Sequence, residues 1–320
     1  MIIDIIQTII NYCRLSNQIK CTKIDRYVYD NIYIYSLRGN NSRSTKINHS
    51  NSHYIYKMTQ EIIEQKRYSR LIYLCFDNVL CLGRCNEKIV NLNHLADTLE
   101  YLSCPWNCGV NQVGISELKK IKVLLCGSNE KINNIGHFAD TLEILCCAGM
   151  CGIGQNSIYE LKKLKVLKFH CNNKIYDVNH LSDTLVELEC GGAKNLQKGI
   201  LELKKLKILN FHGNSYINNV NRLKDTIEEL YCGSGIDDYG ISELKNVKIL
   251  CLAINRKISH INHLSGTLEK LICRRNHIIN NSDMKHTRVD ICSMKGYVIY
   301  SYSDNYNCDR LYSYHNIRLE

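Results

Sequence analysis

The strongest constraint on this chain is that its sequence repeats itself. DTLEYL begins at Asp97, DTLEIL at Asp140, DTLVEL at Asp183, DTIEEL at Asp225 and GTLEKL at Gly266, in steps of 43, 43, 42 and 41 residues. A second series lies between them. ELKKIKVL starts at Glu117, ELKKLKVL at Glu160, ELKKLKIL at Glu202 and ELKNVKIL at Glu243. Each long period therefore holds two short units of alternating type. In such an array each unit packs only on its neighbours, so the two ends need caps.

Both types share one kernel, hydrophobic-x-x-hydrophobic-x-(Cys, Phe or Leu). It begins at Leu71, Leu99, Ile121, Leu142, Leu164, Leu185, Leu206, Ile227, Val247 and Leu268, and Val289–Met294 reads as a worn eleventh copy. From Leu99 onward the spacing is 20 to 22 residues. The step from Leu71 is 28, which implies an insertion near residues 77–88. The second type carries an Asn after its kernel, at Asn129, Asn172, Asn214 and Asn255. The first type has Asn107, Met150, Ala193 and Gly235 there, which predicts a looser coil or a different turn.

This pattern resembles the leucine-rich repeat family over residues 71–294. The resemblance implies an α/β repeat solenoid: a curved parallel β-sheet with irregular or short-helical returns. Alternate strand residues point inward, so Leu102, Cys104, Leu124, Cys126, Leu145 and Cys147 are expected in the core. The Asn is expected to satisfy backbone groups at the turn, because buried polar groups need partners. The repeats, with a composition rich in Asn, Ile and Lys, also resemble repeat proteins of giant DNA viruses.

The same resemblance places a partner-binding concave face beside the inward residues. That face would hold Tyr101, Val123, Leu125, Ile144, Val166, Lys168, Glu187, Glu189, Ile208, Tyr231, Ile249, Lys270 and Ile272. An apolar stripe among charges suits a protein partner, although β-branched residues also simply suit a sheet. One position earlier runs Glu100, Lys122, Glu143, Lys165, Val186, Lys207, Glu228, Lys248 and Glu269. On strands ~4.8 Å apart, these alternating charges favour the correct register over a slip by one repeat.

Before the repeats, Ile5, Ile6, Ile9 and Ile10 form a broad apolar helix face, followed by Leu15, Ile24 and Tyr27. The layout of residues 4–29 resembles a degenerate F-box, without that family's Leu-Pro opening. The resemblance implies docking to a Skp-type adaptor through those seven residues. The alternative is a plain helical cap. The domain reading is 1–38 for this segment, 39–70 for a linker and capping helix, 71–294 for the repeats and 295–320 for a C-terminal cap or tail.

Composition narrows the function. Lys and Arg number 41 against 31 Asp and Glu, a net +10, but no dense basic run exists, which argues against nucleic-acid binding. No apolar run reaches the ~18 residues that a membrane span needs, and the N-terminus lacks the layout of an export signal. With 18 cysteines and no such signal, reduced thiols and a cytoplasmic location (the host's, if viral) are expected. Cys104 and Cys147 belong to the period of the core, which favours packing over zinc. His94, His137, His180 and His263 recur at one place in the repeat, which favours structure over catalysis. No cofactor is expected. These features point to a non-catalytic protein-binding solenoid, with substrate recognition in a ubiquitin ligase as its specific form. The alternatives are a scaffold without a ligase link and a nucleic-acid binder.

Overall fold

Each described strand is three or four residues long, and every one from Tyr73 onward includes the second apolar residue of a kernel. The computed structural model describes residues 36–38, 58–76, 86–253, 255–273 and 290–293. The chain divides into two compact units, 1–163 and 164–320. The first holds β1 (Ser36–Arg38), β2 (Tyr73–Cys75), β3 (Tyr101–Ser103), β4 (Val123–Leu125) and β5 (Ile144–Cys146), each paired in parallel with the next. The second holds β6 (Val166–Lys168), β7 (Glu187–Glu189), β8 (Ile208–Asn210), β9 (Glu229–Tyr231), β10 (Ile249–Cys251), β11 (Lys270–Cys273) and β12 (Asp290–Ser293), again all parallel. Register aligns the kernels: Leu102 faces Leu124, and Leu209 faces Leu230. This is the leucine-rich repeat fold, one strand per short repeat.

β12 lies where the worn eleventh copy was expected, but register pairs Leu271 with Ile291, one residue before the Cys292 that the kernel spacing had placed there. β1 departs from the reading of 1–38 as helical, because Ser36–Arg38 forms a strand against Tyr73–Cys75. The helices expected before residue 36, the linker at 39–52, the Cys81 and Cys85 pair and the tail at 295–320 lie outside the described residues.

The two types of unit return differently. Coils with the Asn return through a 3-10 turn: Asn93–Leu95 and Gly136–Phe138 in the first unit, and Asn179–Leu181, Asn221–Leu223 and Asn262–Leu264 in the second. Each of the first four is entered by an Asn or Asp that accepts the backbone N–H two residues on: Asn91, Asn134, Asp177 and Asn219, at 2.8–3.0 Å. The other coils return through one helical turn: α1 (Gln60–Ile63), α2 (Gln112–Ile115), α3 (Gln155–Ile158), α4 (Gln197–Leu201) and α5 (Asp238–Ile241). Asn111 and Asp237 cap α2 and α5 by accepting from Gly114 N–H and Gly240 N–H.

Inside, Leu102, Cys104, Leu124, Cys126, Leu145 and Cys147 are all fully buried, as expected from the alternation. The coil-closing Asn is buried too. Asn214 Nδ2 donates to the carbonyls of Cys190 and Ala193 at 3.1 and 2.7 Å, while its Oδ1 accepts from the N–H of Tyr216 and Ile217. Asn129 and Asn255 make the same reach into the preceding coil. Asn86 is a further member that spacing concealed. It donates to Met58 O and accepts from Lys88 and Ile89, but it stands 15 residues past Leu71 instead of eight because of the insertion.

Three coils without the Asn instead set a glycine against the preceding Asn turn, Gly109, Gly152 and Gly235, while the coil after Leu185 has Lys194 in that place. Gly109 N–H donates to Asn86 O, and Gly152 N–H donates to Asn129 O, at 2.9 and 3.0 Å. A Cβ on Gly152 would stand 2.4 Å from Ile132 O, so only glycine allows the approach. Asn107, placed in the Asn series by sequence, is exposed and does not take that position.

Asn214→Ala leaves four buried backbone groups without their partner and is expected to cost about 3 kcal/mol or more. Asn107→Ala should stay within about 0.5 kcal/mol. Urea unfolding of the two variants measures both. Gly152→Ala should also destabilise, by roughly 1–3 kcal/mol, since backbone must shift to admit the methyl.

Candidate functional site

A parallel strand with an inward central leucine turns its two flanking residues to the opposite face. The predicted partner residues all occupy these flanking positions. In the second unit register lines them up in two rows. One runs Val166, Glu187, Ile208, Glu229, Ile249, Lys270, so coils with the Asn contribute an aliphatic residue and the others a charge. The second runs Lys168, Glu189, Asn210, Tyr231, Cys251, Ile272.

Exposure divides the predicted set. Tyr101, Val166, Lys168, Glu187, Glu189, Ile208, Tyr231, Ile249 and Lys270 are half-buried. Val123, Leu125, Ile144 and Ile272 are buried, with Leu125 at 0% exposure. Ser103 and Cys146, beside Leu125 in register, are also fully buried. In the first unit Tyr73 and Tyr101 stack, ring centroids 3.9 Å apart. The seven predicted adaptor residues lie outside the described residues.

The half-buried polar groups are held in place. Lys168 Nζ lies 2.5 Å from Glu187 and 3.0 Å from Glu189. Burial alone would lower its pKa, but the charges of Glu189 and Glu187 more than reverse this and hold it above the usual lysine range. Tyr231 OH donates to Glu229 at 2.9 Å. Cys251, Ala253 and Ile272 form an apolar cluster with Tyr231 packed against it.

The predicted charge ladder runs along the edge of this face. Glu100 pairs with Lys122 at 2.9 Å, and Glu228 sits between Lys207 and Lys248 at 2.9 and 2.7 Å. Hydrogen bonds from Lys248 and Lys207 hold the Glu228 carboxyl down at about 2.

The structure shows two further ladders, of which the sequence had revealed only the recurrence of the histidines. Gln60, Gln112 and Gln197, each the first residue of a return helix, accept two N–H groups of the next coil and donate to one of its carbonyls. Asp238 accepts two N–H groups in the same way. The signal was present, since Gln112, Gln155, Gln197 and Asp238 recur in steps of 43, 42 and 41. The recurring histidines form the other. His137 and His263 reach back to the carbonyls of Ile115 and Ile241 at 3.1 and 3.0 Å. Burial lowers the pKa of His94 and His137.

Ser259, His260 and Asp238 meet at one point, but Ser259 Oγ and Asp238 Oδ2 both approach the same ring nitrogen, His260 Nδ1, at 2.9 and 3.0 Å. A nucleophilic relay needs the serine and the acid on opposite nitrogens. No helix among the described residues is long and apolar enough to cross a membrane.

No family model and no curated protein matches the chain. Among solved structures it is similar to the functional domain of InlJ from Listeria monocytogenes, which includes a cysteine ladder. That match has 15% identity and a TM-score of 0.46, covering 78% of this chain and 60% of the other.

Stability should respond to pH in two windows. His94 and His137 have lowered folded pKa values, so their contribution is complete above the ordinary 6.5 and is lost as pH falls through the folded values. Glu228, lowered from 4.5 to about 2, loses its contribution on further acidification across that span. Thermal melts from pH 8 to pH 3 should show both declines, and His137→Gln should flatten the first.

Proposed function

We propose that the chain is a non-catalytic protein-binding repeat protein whose docking surface is the half-buried strand face of the second unit. The observation that supports this reading is the composition of its first row. Val166, Ile208 and Ile249 alternate with Glu187, Glu229 and Lys270. The apolar groups offer area to bury. The charged groups that are already paired, such as Glu187 with Lys168, are fixed before a partner arrives, so less conformational entropy is lost on binding. Aliphatic and aromatic residues ringed by oriented polar groups suit a protein surface.

The more specific reading is substrate recognition for a ubiquitin ligase, with residues 1–38 on a Skp-type adaptor and the strand face on the target. It rests on the sequence of residues 4–29. The protein would then act by proximity, holding its target beside another subunit's chemistry.

The test is affinity capture with the full chain. Ile208→Glu should weaken the captured target at least tenfold, the loss expected of a central apolar contact (about 1.4 kcal/mol). Lys205→Glu, at an exposed position off the strand face, should leave it unchanged. Equal capture by wild type and Ile208→Glu would sink the docking face. A Skp adaptor that binds the full chain and is lost on deletion of residues 1–35, which leaves β1 in place, would support the ligase reading; its absence from the full chain would end it.

A further inference from the structure

The core of the first unit is rich in thiols. Cys104, Cys108, Cys126, Cys147 and Cys151 are all fully buried. Among them, the sulfurs of Cys126 and Cys151 are 3.8 Å apart, in direct S–H···S contact. Cys126 follows β4 at the inward core position, and Cys151 lies in the turn of the next coil, after β5. The residues are 25 apart in sequence, about one full circuit of a repeat. Gly152, directly after Cys151, donates its N–H to Asn129 O, so backbone bonding fixes this turn against the preceding coil.

We propose that Cys126 and Cys151 are an oxidation site, at which hydrogen peroxide joins the two sulfurs into a disulfide that staples two successive coils. One sulfur attacks a peroxide oxygen: the S–O bond forms, the O–O bond breaks and the departing hydroxide takes up the thiol proton as water. The second sulfur then attacks the resulting sulfenic sulfur. The S–S bond forms, the S–O bond breaks and the second water leaves. Two thiols are oxidised and one peroxide is reduced to two waters. A disulfide requires the sulfurs to close to ~2.05 Å, so each moves by roughly 1 Å.

Contact with Cys151 and then burial hold the Cys126 thiol well above its ordinary value. Thiolate is the attacking species, so oxidation in the folded chain is slow and accelerates as pH rises. The staple links one coil to the next around a complete turn, and the stack then cannot open between them.

The test treats the folded full chain with hydrogen peroxide at pH 7 and pH 9, blocks remaining thiols and digests it without reductant. The expected product is a 2 Da lighter chain in which the tryptic peptide Val123–Lys131 is joined to Ile132–Lys162. Fragmentation should assign the second sulfur to Cys151, and the link should form faster at pH 9. Its urea midpoint should exceed that of the reduced chain. Cys126→Ser should abolish the link. No link in a chain that stays folded, a link to Cys146 or Cys147, or a lowered urea midpoint would overturn the proposal. Wild-type fragmentation decides the case even where a variant fails to fold.

Discussion

A chain that turns back on itself about every 21 residues strands backbone groups at each turn, where neither helix nor sheet pairs them. The buried Asn amide solves this in alternate coils. One side chain closes its own turn through Oδ1 and the preceding turn through Nδ2, as Asn214 does with Tyr216 and Ile217 on one side and Cys190 and Ala193 on the other. Because it serves two coils, the next coil needs no Asn. In three of these coils a glycine sits against the Asn turn, as Gly152 does against Asn129. The two-unit period near 43 residues follows from this division of labour.

The other features repeat the same logic further out. At the returns, the amides of Gln112 and Gln197 clamp the next coil's backbone, while His137 reaches back to the previous one. At the strand edge the link becomes charge, with Glu228 between two lysines. The fully buried links, those of Asn129, Asn214 and Asn255, are neutral amides, because desolvating a charge costs more than a turn can return.

The strand face is subject to a different rule. Inward residues must fill a fixed space between coils, so leucine and cysteine recur there. Flanking residues face outward in the second unit and vary from valine to glutamate to tyrosine along each row. Specificity for a partner can therefore reside in that variation without cost to the core. Lys168 shows how such a residue is fixed: two carboxylates compensate its burial.

The fold was legible in the sequence because period and packing coincide. A kernel at 20 to 22 residues sets strand, register and inward face together, and the core at Leu102, Cys104 and their equivalents follows from alternation alone. Asn86 was hidden because the insertion breaks the count, and Asn107 misled because spacing carries no information on which turn a residue enters. Tertiary structure alone decided which flanking residues are accessible. Val123 and Ile208 occupy equivalent places in their kernels, yet Val123 is buried and Ile208 is half-exposed. Strand alternation determines the direction in which a side chain points, whereas exposure depends on what the rest of the chain packs above it, and no local pattern encodes that.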